Sequence, residues 1–200
     1  TPGGWRMLRM RWSAAALVLV SAWAMAATPG PAPAAAPSLG EIPPQILGKD
    51  RNGDPVDLGQ LRGKVVVVTF WASWCGFCRK ELPALNAMQS ATGPDYFRVV
   101  AVNVQDGNDE YRAIIRKMRD YTLTFTRDRS GDIARSYGVN SYPNLWILDP
   151  EGRVAARHIG YGEDSFKEIV DEISRVVQVE VDRLNGGAPG KPAPPQAEQT

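Results

Sequence analysis

One stretch limits what this chain can fold into more than any other: "KVVVVTFWASWCGFCRKELP", Lys64 to Pro83. Its first half is a continuous β-branched and aromatic run with no polar alternation, the pattern of a strand covered on both faces and set in the middle of a sheet. Directly after it stand Cys75 and Cys78, the two cysteines of a 200-residue chain. A helix is expected from there to about Ala91, deflected by Pro83, and "FRVVAVNVQ" supplies a second buried strand. Strand, helix and strand of these lengths make a right-handed parallel crossover.

The flanking segments add to both sides of that unit. Upstream, "QILGKDRNGDPVDL" reads as a β-hairpin turning at Asn52 and Gly53. Downstream, Tyr111, Ile114, Ile115 and Met118 recur at helical spacing, so a helix over Asp109–Asp120 is expected with that stripe inward. Leu123–Thr126 reads as a short strand and Asp132–Tyr137 as a short helix. "NLWIL" and "VAARHI" flank Asp149, Pro150, Glu151 and Gly152 as an antiparallel hairpin. A last helix carries Phe166, Ile169, Val170, Ile173, Val176 and Val177 on one face, with Ser165 and Glu168 as its capping box. The class is α/β: a central mixed β-sheet flanked by helices, with an N-terminal β-hairpin.

The ends differ in character. Arg6, Arg9 and Arg11 precede the apolar run "WSAAALVLVSAWAMAA", and Ala24 and Ala26 sit where a signal peptidase reads small residues. Residues 1–26 are therefore expected to be an export signal, with a start at Met7 or Met10 giving a tighter one. An apolar run of about fifteen residues is short against the about 20 needed to span a bilayer, which favours cleavage after Ala26 over an uncleaved inner-membrane anchor. Residues 27–38 read as a Pro/Ala-rich linker, 39–184 as the folded domain and 185–200 as a low-complexity, disordered tail. Export into an oxidising space permits disulfides. With 23 basic and 22 acidic residues, bulk charge points to neither nucleic acid nor acidic lipid as the main partner, so recognition must be local.

Three chemistries compete for the cysteine pair. A structural zinc site needs four ligands, and the chain offers two cysteines and one histidine, His158, in an expected strand. A structural staple closing so short a loop removes little unfolded-state entropy. The third reading is redox. A thiol where a helix begins has its thiolate favoured by unpaired amides and the helix dipole, and Cys75 is so placed. Cys78, one turn deeper, would attack the mixed disulfide that Cys75 forms with a partner, releasing the partner and closing an intramolecular bond.

These residues resemble the thioredoxin superfamily, and within it the exported, membrane-associated branch of TlpA-, ResA- and DsbE-like thiol:disulfide interchange proteins. The resemblance spans almost all of the folded part and rests on "VVVVTFWASWC", Cys75 and Cys78, "RKELP", "VVAVNV" and "YGVNSYPNLWILDPEGRV". It implies a thioredoxin-like fold, catalysis by Cys75 and Cys78, and no cofactor beyond their redox-active disulfide. It also implies a cis proline at Pro143 facing the pair, with Tyr142 offering backbone groups to a bound client strand. Glu81 matches a glutamate that tunes thiol acidity, and Pro83 the proline that kinks the active-site helix. Trp74 is expected to cover the pair, and Trp71 to lie in the core. Gly76 and Phe77, between the cysteines, stand where most relatives have a proline beside the second cysteine. That dipeptide tunes a potential which spans roughly −270 to −120 mV across the fold. Thr69 occupies the place where thioredoxin carries a buried aspartate, so proton handling must pass to Glu81, water or the backbone. Tyr142, Asn144 and Trp146 are bulkier or more polar than the small or β-branched residues usual there, and suggest a shaped partner groove.

The leading expectation is thus a periplasmic protein-disulfide reductase acting on apocytochrome c (cytochrome c biogenesis) or copper-site proteins, and recharged by a membrane electron donor of the DsbD or CcdA type. Two alternatives are kept. One is a thiol peroxidase, weakened because peroxide-reducing relatives place a threonine where this chain has Ala72. The other is a copper(I)-delivery module using the pair as a soft ligand.

Overall fold

The computed structural model describes residues 35–160 and 162–184. In chain order it runs β1 (Ile46–Lys49), β2 (Pro55–Asp57), a 3-10 turn (Leu58–Leu61), β3 (Val65–Trp71), α1 (Cys78–Thr92), β4 (Phe97–Val104), α2 (Asn108–Lys117), β5 (Thr124–Asp128), α3 (Asp132–Ser136), β6 (Asn144–Leu148), β7 (Val154–Ile159) and α4 (Glu163–Leu184). The expected signal (1–26), the tail (185–200) and positions 27–34 of the expected linker lie outside the described residues. Ala36, the linker's late part, packs against the core. Among the described residues no helix is long and apolar enough to cross a membrane.

β3 is buried along its whole length. It is the middle of a five-stranded mixed sheet ordered β5-β4-β3-β6-β7, parallel to β4 and antiparallel to β6. The uniform hydrophobic run hides a period of two. Val65, Val67 and Trp71 face a core built with α1 and α4, through Leu82, Leu85, Ile169 and Ile173. Val66, Val68 and Phe70 face a second core with Tyr137 and Trp146. Both faces are apolar because helices and loops cover both, so no polar alternation is required. β1 and β2 form a separate two-stranded antiparallel sheet. Its turn is held by Asp50, whose carboxylate accepts from the amides of Asn52 and Asp54 at 2.8 and 3.0 Å.

Several boundaries differ from expectation. α2 ends at Lys117, not Asp120: Met118 leaves helical geometry, and its carbonyl accepts from the Arg51 guanidinium at 3.0 Å. Met118 itself is buried, whereas Tyr111, Ile114 and Ile115 are only half-buried against the core. β5 runs on to Asp128 because it pairs with β4 as far as Val104. α4 begins at Glu163, two residues ahead of the expected cap at Ser165, and the Phe166 amide bonds to the Gly162 carbonyl at 3.1 Å.

One buried polar side chain ties three segments together. Gln89 of α1 accepts from the Val99 amide of β4 at 2.7 Å and donates to the Thr122 carbonyl at 2.7 Å. Val99 lies one residue before the first β4–β5 pair, Val100 with Thr124, so its amide has no partner from β5. Gln89→Leu fits the space but orphans both backbone groups, at about 1–3 kcal/mol each. The variant is expected to lose about 3 kcal/mol in urea unfolding; a loss below about 1 kcal/mol would mean that water replaces both bonds.

Candidate active site

α1 starts without an ordinary cap. Phe77 occupies the N-cap position in helical geometry and gives no side-chain cap hydrogen bond. The free donor finds sulfur instead: the Cys78 amide, the first of the helix, donates to Cys75 Sγ at 3.1 Å. Cys75 thus lies three residues ahead of the helix, not in its first turn, and its sulfur does the work of a capping oxygen. The two cysteines are joined, with an S–S distance of 2.11 Å and Cα atoms 5.3 Å apart. Cys75 retains 5% exposure and Cys78 none, which makes Cys75 the sulfur a partner can reach.

Glu81 follows Cys78 by three residues on α1, so both project from the buried stripe that continues through Leu82, Leu85 and Gln89. That stripe meets the odd-numbered face of β3, which includes Thr69. The Thr69 hydroxyl donates to Glu81 Oε1 at 2.7 Å, while Oε2 has no hydrogen-bond partner among the described residues. Burial pushes the Glu81 carboxyl up to about 7, and the threonine hydrogen bond opposes the rise only in part. Thr69, which stands where thioredoxin carries an aspartate, is therefore the hydrogen-bond partner of Glu81.

A rim of aromatic and backbone groups surrounds the buried pair. Trp74 and Phe77 are 72% and 53% exposed. The indole of Trp74 leans edge-on against Tyr142, ring centroids 5.8 Å apart, standing on the rim rather than folded under it. Gly76 is exposed beside it. The Tyr142–Pro143 peptide bond is cis and Pro143 is buried. No hydrogen bond engages the Tyr142 backbone among the described residues. Its phenol is half-buried and held above its ordinary pKa by burial and by the negative charges of Asp128 and Asp106. Asn144 and Trp146 do not shape a groove. β6 is buried throughout, Trp146 packs between Tyr137 and Arg157, and Asn144 Oδ1 accepts from Arg157 Nε at 3.4 Å.

Asp106 escaped the sequence reading. It is buried after β4, and its Oδ2 accepts from the Ser73 amide at 2.7 Å and from Asn103 Nδ2 at 2.6 Å, pinning the loop that carries Cys75. The signal that marks it is a carboxylate placed just beyond a buried strand at the same end of the sheet as the cysteines.

The Glu81 shift has a stability consequence. Unfolded, the carboxyl ionises near 4.5; folded, it keeps its proton to about 7, so between these values the folded state binds more protons and stability falls as pH rises. Glu81→Gln removes that slope. Relative to the unaltered protein it is expected to gain up to about 3 kcal/mol by pH 8 and little below pH 4.5, read as the difference between urea midpoints across pH. A difference independent of pH would mean that Glu81 is already ionised in the folded state.

With this geometry in hand, comparison with known proteins is informative. The AhpC/TSA family model matches residues 39–157. The thioredoxin-like protein YneN of Bacillus subtilis is 35% identical over 123 residues, 60% of this chain and 71% of that protein. The thiol-disulfide oxidoreductase ResA of Bacillus thuringiensis is 28% identical over 118 residues, 58% of this chain and 66% of ResA. A crystal structure described as a DsbE thiol:disulfide interchange protein from Chlorobium tepidum superposes with a TM-score of 0.62 at 28% identity, covering 71% of this chain and 99% of that one. The chain belongs to the AhpC/TSA family, has its thioredoxin-like fold, and its relatives there are thiol-disulfide oxidoreductases.

Proposed function

We propose that this chain is an exported protein-disulfide reductase that passes two electrons from the Cys75/Cys78 dithiol to client disulfides in the periplasm, with Glu81 handling the proton of Cys78. The observation that carries the reading is the Cys78 amide aimed at Cys75 sulfur at the start of α1. In the reduced protein the same amide donates to a Cys75 thiolate, and the helix dipole adds to it, so the anion is favoured over the thiol. Export rests on the Arg-led apolar segment at residues 1–26.

The steps balance as two-electron exchange. Cys75 thiolate attacks one sulfur of the client disulfide; that bond breaks, and the other client sulfur leaves as thiolate and takes a proton. Cys78 then gives its proton to the Glu81 carboxylate and attacks Cys75 Sγ. The mixed disulfide breaks, the client's second sulfur leaves as thiolate and takes a proton, and the Cys75–Cys78 bond closes. The client strand is held by the rim: Tyr142 backbone groups offer hydrogen bonds beside Pro143, and Trp74, Gly76 and Phe77 supply an accessible, partly apolar contact surface. Apocytochrome c and copper-site proteins are the clients suggested by the resemblance, with a DsbD- or CcdA-type membrane donor restoring the dithiol.

The test has two parts. Reduction of insulin disulfides in the presence of dithiothreitol is expected in the unaltered protein and absent in Cys75→Ser, while Cys78→Ser accumulates mixed disulfides with envelope proteins; full activity of Cys75→Ser would remove Cys75 from the mechanism. Under single-turnover conditions the resolving step should accelerate as pH rises through about 7, where Glu81 loses its proton. In Glu81→Gln that limb is lost and the step at pH 8 slows by about a hundredfold, at the low end of what a positioned base contributes. An unchanged profile would leave Cys78 deprotonation to water.

A further inference from the structure

A cleft of about 630 Å³ lies between the β1 hairpin, α2 and β5, and no part of the redox chemistry uses it. Six cations line it: Lys49 and Arg51 from the hairpin, Arg112 and Arg116 from α2, and Arg127 and Arg129 from β5 and the loop after it. None has a carboxylate within salt-bridge distance among the described residues, although Lys64, Arg119, Arg135, Lys167, Arg175 and Arg183 all do. The single acid in the lining, Asp50, spends its carboxylate on the amides of Asn52 and Asp54. Arg51 and Arg127 are fixed as part of the wall, over the rings of Phe125 at 4.5 Å and Tyr111 at 5.0 Å. Arg112 and Arg116 are different: one turn apart on an exposed helix face, they repel each other, and neither makes an ion pair or hydrogen bond to a carboxylate among the described residues.

The cleft borders the active-site loops. The Arg127 guanidinium donates to the Asp106 carbonyl, and the Asp106 carboxylate holds the Ser73 amide, two residues before Cys75. Gly48 lets the hairpin close over β5: its φ is +94°, and a Cβ there would lie 3.2 Å from the Arg127 carbonyl. A polypeptide whose disulfide is engaged at Cys75 therefore has its flanking chain within reach of an uncompensated positive cleft with an apolar floor of Tyr111 and Ile115. Position and charge together name the occupant. We propose that the cleft is a docking subsite for an acidic segment of the client polypeptide, Asp- or Glu-rich, next to the disulfide to be reduced. The proposal rests on the disulfide-reductase reading and adds client selection to it.

The experiment uses the full chain, reduced beforehand with dithiothreitol and freed of the excess, in single-turnover reactions with synthetic peptides that carry one intramolecular disulfide flanked on either side by a run of glutamates or of serines. The small disulfide DTNB is a third substrate. With surface pairs contributing a few-fold each, the glutamate peptide is expected to show a KM about tenfold below that of the serine peptide, and salt should erase the difference. The double substitution Arg112→Glu, Arg116→Glu is expected to raise the glutamate-peptide KM by about tenfold or more, leaving kcat, the serine-peptide KM and the DTNB rate unchanged. Arg112→Gln, Arg116→Gln gives a smaller shift in the same direction and serves if charge reversal weakens α2. Equal KM values for the two peptides, or a preference that survives both double variants, overturns the subsite while DTNB reduction keeps the redox reading standing. Failure to reduce any of the three substrates overturns the redox reading and the subsite with it.

Discussion

A single hydrogen bond, from the Cys78 amide to Cys75 sulfur, joins the start of α1 to the chemistry. Helices begin with amides that lack intrahelical partners, and the usual remedy is a serine, threonine or aspartate oxygen. Here Phe77 supplies none, and the chain before it is short enough to return a sulfur to that position. In the proposed mechanism the same contact that completes the helix favours the thiolate of the outer cysteine once the pair is reduced. Structure and reactivity therefore share one donor, and the sulfur that benefits is the one with residual exposure.

The second constraint opposes the fold. A carboxyl is placed under the sheet on a face otherwise filled by valine, leucine and tryptophan, with one oxygen satisfied by Thr69 and the other unpartnered among the described residues. Such a group is costly when ionised, and the protein meets the cost by holding it near the point of titration. A group poised near neutral pH can both accept and return a proton, which a fully ionised surface carboxylate does poorly. Destabilisation at high pH and the proposed proton exchange with Cys78 follow from the same burial.

How much of this was legible follows from the residues themselves. The run from Val65 to Trp71 declared a central strand because β-branched side chains without alternation fit only a strand covered twice, and the cysteine spacing at its end declared the site. The turn at Asn52 and Gly53 and the hairpin at Asp149–Gly152 were legible through turn chemistry. Helix ends were not: α2 stops at Lys117, where Arg51, sixty-seven residues before Met118, donates to the Met118 carbonyl, and no local pattern carries that information. The size and polarity of Asn144 and Trp146 suggest exposure, whereas β6 is covered on both faces, and Arg157 donates to Asn144 Oδ1 and stacks on Trp146. Thr69 looked like a loss relative to thioredoxin's aspartate. Its partnership with Glu81 depends on the period-two facing of β3 and the helical stripe of α1 coming together, a relation between elements rather than within either.

Topology explains why the client-facing groups share one edge of the sheet. β3, β4 and β5 are parallel, and their registers, Trp71 with Asn103 and Val104 with Asp128, bring the loops that follow them to the same end. β6 runs the opposite way and starts there, Asn144 beside Phe70, so Pro143 and Tyr142 arrive at the level of the cysteine loop. A chain with almost no net charge can thus hold a strongly positive cleft next to a half-apolar rim, because loop placement, not composition, sets the local field. The rim offers backbone and aromatic contacts that are nearly indifferent to client sequence, while the cations discriminate by charge. Selection among clients then falls to the element least involved in the redox step, the exposed face of α2, where substitutions can change partner preference without disturbing Cys75, Cys78 or Glu81.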